Sequence, residues 1–235
     1  MATSASPAAL SITQTVTGAM GAMLNGNDGD AHSLLQSALT RTRADLAEST
    51  LPPLLKQVRR GMPFQIYSLP LNLNEPCDAH RSTCPGSLFS FYNAAIVAEE
   101  LCTEMELFFS AELSAMILYN MGLVYHRLAL QTGSTHNFSK AMKLYKVSGS
   151  IVASNDYDFT HDLTILKLAL LVNMGHIYSN FLDQNGTNEC ADGINTLYHS
   201  VDVKALDPDT RQLFYDNMFL SQQPSKNLFG LAPAA

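Results

Sequence analysis

The chain contains no tryptophan, and only 15% of its 235 residues are charged. Lys and Arg number 14 against 21 Asp and Glu, which gives a formal net charge of −7. A nucleic-acid surface needs clustered Lys and Arg. Basic residues concentrate here only at Arg41, Arg43 and 56–60, which we interpret as solvated helix ends. We therefore expect no nucleic-acid partner.

The sequence also lacks any run of about 18 apolar residues, which argues against a transmembrane helix. Its first seven residues carry no positive charge and no apolar core of the kind found in a secretory signal. Four cysteines suit a reducing compartment. Together these features predict a cytoplasmic or nuclear protein with no membrane partner.

The short motifs of common enzymes are missing as well. There is no Gly-x-Ser-x-Gly, no phosphate-binding loop, no Gly-x-Gly-x-x-Gly and no His-Glu-x-x-His. We therefore predict a non-catalytic protein without a cofactor. What the chain has in abundance is hydrophobic residues, at 46%, which is enough to bury a substantial core.

A seven-residue pattern occurs twice, as Tyr119-Asn-Met-Gly-Leu-Val-Tyr125 and, 53 residues later, as Val172-Asn-Met-Gly-His-Ile-Tyr178. Each copy places four residues at i, i+3, i+4 and i+7, on one face of an α-helix. These are Leu118, Met121, Gly122 and Tyr125, then Leu171, Met174, Gly175 and Tyr178. A Gly within a helix costs about 1 kcal/mol relative to Ala. Its recurrence predicts that a second helix packs closely against each copy.

An apolar stripe follows each copy and predicts that second helix. The two stripes keep register, because both Ala141 to Gly193 and Tyr145 to Leu197 span 52 residues. Duplication at this period predicts stacked helical hairpins.

The duplicated pattern resembles the tetratricopeptide repeat (TPR) family. That family has a large apolar residue, Leu-Gly, Tyr, and then Ala with an aromatic residue four positions later. The matches are Leu118, Met121, Gly122, Tyr125, Ala141 and Tyr145, then Leu171, Met174, Gly175, Tyr178, Gly193 and Leu197. The chain departs from the family in having no Trp, no closing Pro and units longer than about 34 residues. Over 110–206, the resemblance implies a mainly α fold of TPR-like stacked antiparallel hairpins, with first helices that line a concave groove.

One domain is predicted over 10–223, between loose tails at 1–9 and 224–235. Its parts are a divergent first unit (10–48), an inserted β-hairpin (62–97), a central unit (110–154), a second clear unit (160–206) and a capping helix (208–221). The hairpin is expected from approximate period-two patterns at 62–75 and 87–97, and it must pack on the helices because two strands alone are marginally stable.

Local signals predict where the helices begin and end. Asp30 is expected to cap the second helix of the first unit, and Thr160 to cap the helix over 160–182. The stretch 183–188 reads as a turn before a helix over 189–206. Asp207 is expected at the N-cap of the last helix, with Pro208 at its first position.

The groove implied by the resemblance is mostly apolar, and such a surface suits an extended or amphipathic peptide. Its lining is predicted to be Met116, Tyr119, Asn120, Leu123, His126, Ala169, Val172, Asn173, His176 and Ser179. Asn120 and Asn173 occupy equivalent positions. Each amide could clamp the backbone of a bound peptide with its donor and acceptor, or it could tie one helix to the next. No groove Lys or Arg accompanies Asn120, which argues against a clamp for a terminal carboxylate. We predict an adaptor or scaffold whose partner is another protein or a peptide.

Two loops offer an alternative, an enzyme of unrecognised type with a metal or acid/base site. One loop holds the three zinc-type ligands Cys77, His80 and Cys84, where a closed structural site needs four, and we interpret it as an ordinary surface loop. The other loop holds Asp156, Asp158, His161 and Asp162, which suit a metal but also suit a connector and helix cap. A self-assembling structural protein is a third possibility, and the oligomeric state is not predicted.

Overall fold

A computed structural model of the protein describes residues 11–48, 65–71, 89–99, 110–154, 163–200 and 206–221. Over these residues the fold is mainly helical, with one small two-stranded antiparallel sheet, which confirms the prediction of a mainly α fold that contains a β-hairpin. The helices are α1 (Ile12–Leu24), α2 (Asp28–Glu48), α3 (Ser110–Thr132), α4 (Thr135–Ser154), α5 (Thr164–Asn180), α6 (Gln184–Ser200) and α7 (Pro208–Ser221). The strands are β1 (Gln65–Pro70) and β2 (Ala94–Glu99).

The first six helices pack as consecutive pairs, α1 on α2, α3 on α4 and α5 on α6. Two or three residues join the members of each pair, and such short connections produce antiparallel neighbours. The pairs contact one another through α2 with α3 and α4 with α5, and α7 packs on α6. None of the helices in the described ranges is both long enough and apolar enough to cross a membrane.

Three predicted helix starts are wrong, two of them because another polar side chain caps the helix. α6 begins at Gln184, inside the expected turn at 183–188, because Asp183 accepts the backbone N–H of Gly186 at 3.0 Å. α2 begins at Asp28, where Asn27 accepts the backbone N–H of Asp30 at 3.5 Å, so Asp30 lies in the first turn and does not cap the helix. The start of α7 is confirmed, since Asp207 accepts the N–H of Thr210 at 2.9 Å ahead of Pro208. Thr160 lies outside the described residues, but the predicted helix start at 160 is wrong, because α5 begins at Thr164 with Leu163 at its N-cap and no side-chain cap hydrogen bond.

The predicted hairpin exists, but its second strand is shifted along the chain. β1 pairs with β2 from Gln65↔Glu99 to Pro70↔Ala94, and Pro70 ends its strand. The pairing continues past Pro70, where Leu71 donates its N–H to the carbonyl of Asn93 at 3.0 Å. The expected strand over 87–97 is therefore a strand over 94–99 that continues a preceding stretch. We call residues 89–99 the extended segment.

The extended segment is part of the main hydrophobic core. Phe89, Ala95 and Ile96 have no exposed surface, and most of the remaining residues in the segment are also buried. β2 packs on α3 and contacts α1. The hairpin therefore packs on the helices as predicted, and its second strand lies within the core.

Gly122 and Gly175 are close-packing positions, but they have different neighbours. A Cβ placed on Gly122 would lie 2.6 Å from Cε1 of Tyr145 in α4, which confirms the expected approach of the partner helix. A Cβ on Gly175 would lie 2.8 Å from Cε1 of Phe89. At the second copy the extended segment, and not the partner helix, takes the space that the missing side chain leaves.

Candidate functional site

Two equivalent asparagines hold the backbone of the extended segment. Asn120 accepts the N–H of Ile96 at 3.0 Å and donates to the carbonyl of the same residue at 2.8 Å. Asn173 accepts the N–H of Tyr92 at 2.9 Å and donates to its carbonyl at 3.2 Å. Each side-chain amide thus bonds both backbone groups of one residue, as a neighbouring strand would. The sequence left two roles open for these amides, a clamp on a bound peptide or a tie between helices, and here each amide clamps a backbone segment of the same chain.

A third asparagine, which was not among the residues predicted from the sequence, continues the arrangement. Asn217 in α7 is fully buried and accepts the N–H of Ser90 at 2.7 Å. Its amide nitrogen donates within α7 to the carbonyl of Leu213 at 2.9 Å. The available signal was the dipeptide Asn-Met, which occurs three times, at 120–121, 173–174 and 217–218. α7 is therefore more than a cap, because it carries the same Asn as α3 and α5.

The helices contact every second residue of the segment. Tyr119 donates its hydroxyl proton to the carbonyl of Ala94 at 3.0 Å, between the clamps at Tyr92 and Ile96. Side chains from α3, α5 and α7 therefore bond the backbone at residues 90, 92, 94 and 96, with the period of two of a β-strand. β1 lies along the opposite edge of β2. The segment is held from both edges, by a strand on one side and by helical side chains on the other.

Three aromatic side chains anchor the segment's first half, Phe89, Phe91 and Tyr92, of which Tyr92 packs on Phe214 of α7. The Phe89 ring lies against the backbone of Gly175. Phe91 lies over two histidines, with ring centroids 4.3 Å from His126 and 5.9 Å from His176. These anchors have little or no exposed surface, so the segment contributes to the core through both its side chains and its backbone.

The two histidines under Phe91 form a buried hydrogen-bonded pair. His126 Nε2 lies 3.0 Å from His176 Nδ1, and Asn180 Nδ2 lies 3.2 Å from the same Nδ1. An amide nitrogen only donates, so Nδ1 of His176 is the acceptor and His126 carries its proton on Nε2. Burial lowers the pKa of His126 well below its usual value and that of His176 to about 4. Both rings are therefore neutral at neutral pH.

A hydrogen-bond network joins the histidine pair to the clamps. With its proton on Nε2, His126 can accept at Nδ1 from the Tyr145 hydroxyl, 3.3 Å away. Asn173 Nδ2 lies 3.4 Å from that hydroxyl and 3.2 Å from the hydroxyl of Tyr119. Burial raises the pKa of both tyrosines well above its usual value, so both stay protonated and can donate. The network fixes the amide orientation that the clamp at Tyr92 requires.

The predicted groove is not an open surface. All ten lining residues are buried, with at most 6% of their surface exposed: Met116, Tyr119, Asn120, Leu123, His126, Ala169, Val172, Asn173, His176 and Ser179. Five of them, the two asparagines, Tyr119 and the histidines, contact the extended segment directly. The expectation of an exposed groove is wrong because helical spacing locates a face but does not show what covers it.

The arginine of α3 contacts the first helical pair. Arg127 is buried, 3.7 Å from the Asp28 carboxylate, and donates to the carbonyl of Met23 at 3.3 Å. Its guanidinium thus ties α3 to the α1–α2 turn.

The two loops proposed as alternative sites cannot be placed in the fold. Cys77, His80 and Cys84 lie outside the described residues, as do Asp156, Asp158, His161 and Asp162. Within the described ranges, no group of three or more His, Cys, Asp or Glu is arranged to hold a metal ion.

Comparison with known proteins identified no matching family model, no similar curated protein and no similar solved structure.

Proposed function

We propose that the protein is a non-catalytic scaffold of TPR-like stacked hairpins that binds an extended polypeptide segment across α3, α5 and α7. The observation that carries this proposal is the pair of amide clamps, Asn120 on Ile96 and Asn173 on Tyr92. Each clamp bonds backbone groups that nearly every residue possesses, so it can accept a segment from another protein. The proposed compartment is the cytoplasm or nucleus, as the cysteine content predicts.

The TPR-like arrangement is supported by equivalence of position. Asn120 and Asn173 lie in the first helices of successive pairs, α3 and α5, and both point at the same segment. Asn217 adds a third equivalent residue from α7. Successive first helices that face one extended chain are what the repeat family's concave groove requires.

In this state the chain's own segment occupies the groove, so a partner must compete with a tethered ligand. Residues 100–109 join the segment to α3. A short tether gives an effective concentration on the order of millimolar, and a free peptide of the same sequence would bind wild-type protein with an apparent Kd near that value. Weakening the internal segment should bring the apparent Kd down towards the intrinsic one.

This competition supplies the experiment. A labelled peptide of residues 89–99, capped at both ends, is titrated into full-length wild type and into Tyr92→Pro, which removes the N–H that Asn173 accepts. We expect the variant to bind the peptide at least about tenfold more tightly, since a loss of about 1.4 kcal/mol from the internal segment gives that factor.

The matched control adds Asn173→Leu to the Tyr92→Pro chain, which removes the clamp from the groove itself. Circular dichroism checks the fold of both variants, and Ser90→Pro, which changes a half-buried residue, replaces Tyr92→Pro if that variant unfolds. Tighter binding by the first variant and its loss in the double variant would support the proposal. Equal, weak binding by folded wild type and variant would contradict it.

A further inference from the structure

The first position of the extended segment, Phe89, packs on a helix position that has no side chain, Gly175. Phe89 has no exposed surface, and its ring fills the space over the backbone of Gly175. A Cβ there would meet Cε1, Cδ1 and Cζ of the ring at 2.8 to 2.9 Å. A flat ring can lie against a bare helix backbone in this way, and loss of the ring would leave a cavity. This position therefore favours an aromatic residue.

The third and fourth positions are also matched to aromatic rings. Phe91 covers the hydrogen-bonded histidines, and Tyr92 packs on Phe214 of α7 with ring centroids 5.0 Å apart. Buried aromatic pairs at such separations contribute beyond the area that they bury. His176 Nε2 lies beneath this layer without a hydrogen-bond partner among the described residues, so an open site would expose a polar group that Phe91 now helps to enclose.

The sixth and seventh positions, Ala94 and Ala95, require small, uncharged residues. Ala94 and Ala95 are 5% and 0% exposed, and the carbonyl of Ala94 accepts from Tyr119. A larger side chain at Ala95 would have to displace packed neighbours. The groups that bond the segment from α3, α5 and α7 are amides and a neutral hydroxyl, so a charged side chain buried there would lack a partner.

We propose that this groove selects uncharged extended segments with the pattern aromatic-x-aromatic-aromatic-x-small-small, as in Phe89-Ser-Phe-Tyr-Asn-Ala-Ala95. This inference rests on the peptide-binding function proposed above and adds to it the chemical class of the ligand. The unspecified second position is Ser90, whose backbone is bonded by Asn217 and whose side chain is half-buried.

The test is competition by unlabelled peptides against the labelled 89–99 peptide on the full-length Tyr92→Pro chain, or on Ser90→Pro if that chain unfolds. A peptide with Phe91→Ala is expected to compete about a hundredfold or more less well, from the usual effect of truncating a buried Phe. The matched control peptide, Ser90→Ala, keeps the N–H that Asn217 accepts and should compete within about threefold of the unchanged peptide.

A second arm moves the change from the peptide to the groove. Gly175→Ala, placed in the same full-length chain, fills the space that the Phe89 ring occupies. Its preference for the unchanged peptide over a Phe89→Leu peptide should fall at least about tenfold relative to the Gly175 chain.

The outcomes separate this inference from the function on which it rests. Equal competition by the Phe91→Ala, Phe89→Leu and unchanged peptides would overturn the aromatic pattern and leave backbone binding intact. Failure of the labelled peptide to bind any folded variant would overturn both. The pattern would be supported if the Phe91→Ala peptide no longer competed while the Ser90→Ala peptide still did.

Discussion

Replacement of Asn120 by leucine tests the amide clamp with little change in side-chain volume. Asn120 is fully buried, and both its amide atoms bond Ile96, at 3.0 and 2.8 Å. Leucine supplies neither a donor nor an acceptor, so the N–H and carbonyl of Ile96 would lose their partners inside the core.

The expected loss of stability follows from those two backbone groups. Leaving a buried donor or acceptor unpaired costs about 1–3 kcal/mol, so two groups amount to about 2–6 kcal/mol. Leucine recovers up to about 0.5 kcal/mol through its better helix propensity. We therefore expect Asn120→Leu to lower the free energy of unfolding by about 1.5–6 kcal/mol, a large part of the stability of an ordinary domain.

The assay is urea unfolding followed by circular dichroism, paired with hydrogen exchange at the amide of Ile96. Exchange at that amide should speed up by the factor that corresponds to the loss of stability. The matched control is Asn185→Leu, at an exposed position in the first turn of α6, where a change within about 0.5 kcal/mol is expected.

The double variant Asn120→Leu/Asn173→Leu tests whether the two clamps depend on each other. Both clamps hold one segment, so removal of the first already weakens the contact that the second provides. The double variant should therefore lose less stability than the sum of the losses in the two single variants. Equal stability of Asn120→Leu and Asn185→Leu would show that the clamp at Ile96 does not stabilise the fold. Exchange of the Ile96 amide at the wild-type rate would show the same.

Three further outcomes are expected. Gly122→Ala should destabilise the protein by about 1–3 kcal/mol, because its Cβ would lie 2.6 Å from Tyr145, whereas Gly149→Ala, with nothing within 4 Å, should gain up to about 1 kcal/mol; equal melting temperatures would contradict this. Burial lowers the pKa of His176 from 6.5 to about 4, so as the pH falls the unfolded chain takes up a proton at this histidine before the folded chain does. The free energy of unfolding should therefore be highest above pH 6.5 and fall by about 3 kcal/mol as the pH drops towards 4. If the His176→Gln variant showed the same dependence of stability on pH as wild type, this prediction would be refuted. Burial raises the pKa of the Cys190 thiol to about 12, so in a chain whose other cysteines are serine a thiol reagent at pH 8 should react only on unfolding, and rapid labelling of folded protein would count against it.

The helical hairpins were predictable because their evidence is local. The repeated pattern predicted a helical hairpin over the central unit at 110–154, and α3 and α4 span Ser110–Thr132 and Thr135–Ser154. The equivalence of Asn120 and Asn173 also predicted a shared role, either a clamp on a bound peptide or a tie between helices. The sequence could not tell which backbone they hold, because their partners lie 24 and 81 residues away. Helical periodicity carries no information about contacts of that range.

Two signals in the sequence pointed towards the buried segment. Residues 94–98 are five consecutive apolar residues, a pattern typical of a strand buried on both faces. The third Asn-Met dipeptide, at Asn217, lay in a helix assigned only a capping role. The predicted start of α6 was wrong for a different reason. Residues 183–188 are rich in turn-forming residues, but Asp, which favours turns, also favours helix N-caps, and Asp183 caps α6.

The segment runs opposite to the order of the helices, and this direction determines which end can exchange. Ser90 bonds Asn217 across 127 residues of sequence, whereas Ile96 bonds Asn120 across 24. The Ser90 end makes one hydrogen bond, to Asn217, whereas Ile96 makes two, to Asn120. β1 also pairs with residues 94–99, so the Ile96 end of the segment is held more firmly than the Ser90 end. A competing segment would therefore displace the chain first beside α7, where the aromatic anchors lie, while the short connection to α3 keeps the Ile96 clamp closed. Exchange and selection would then take place at the same end of the groove.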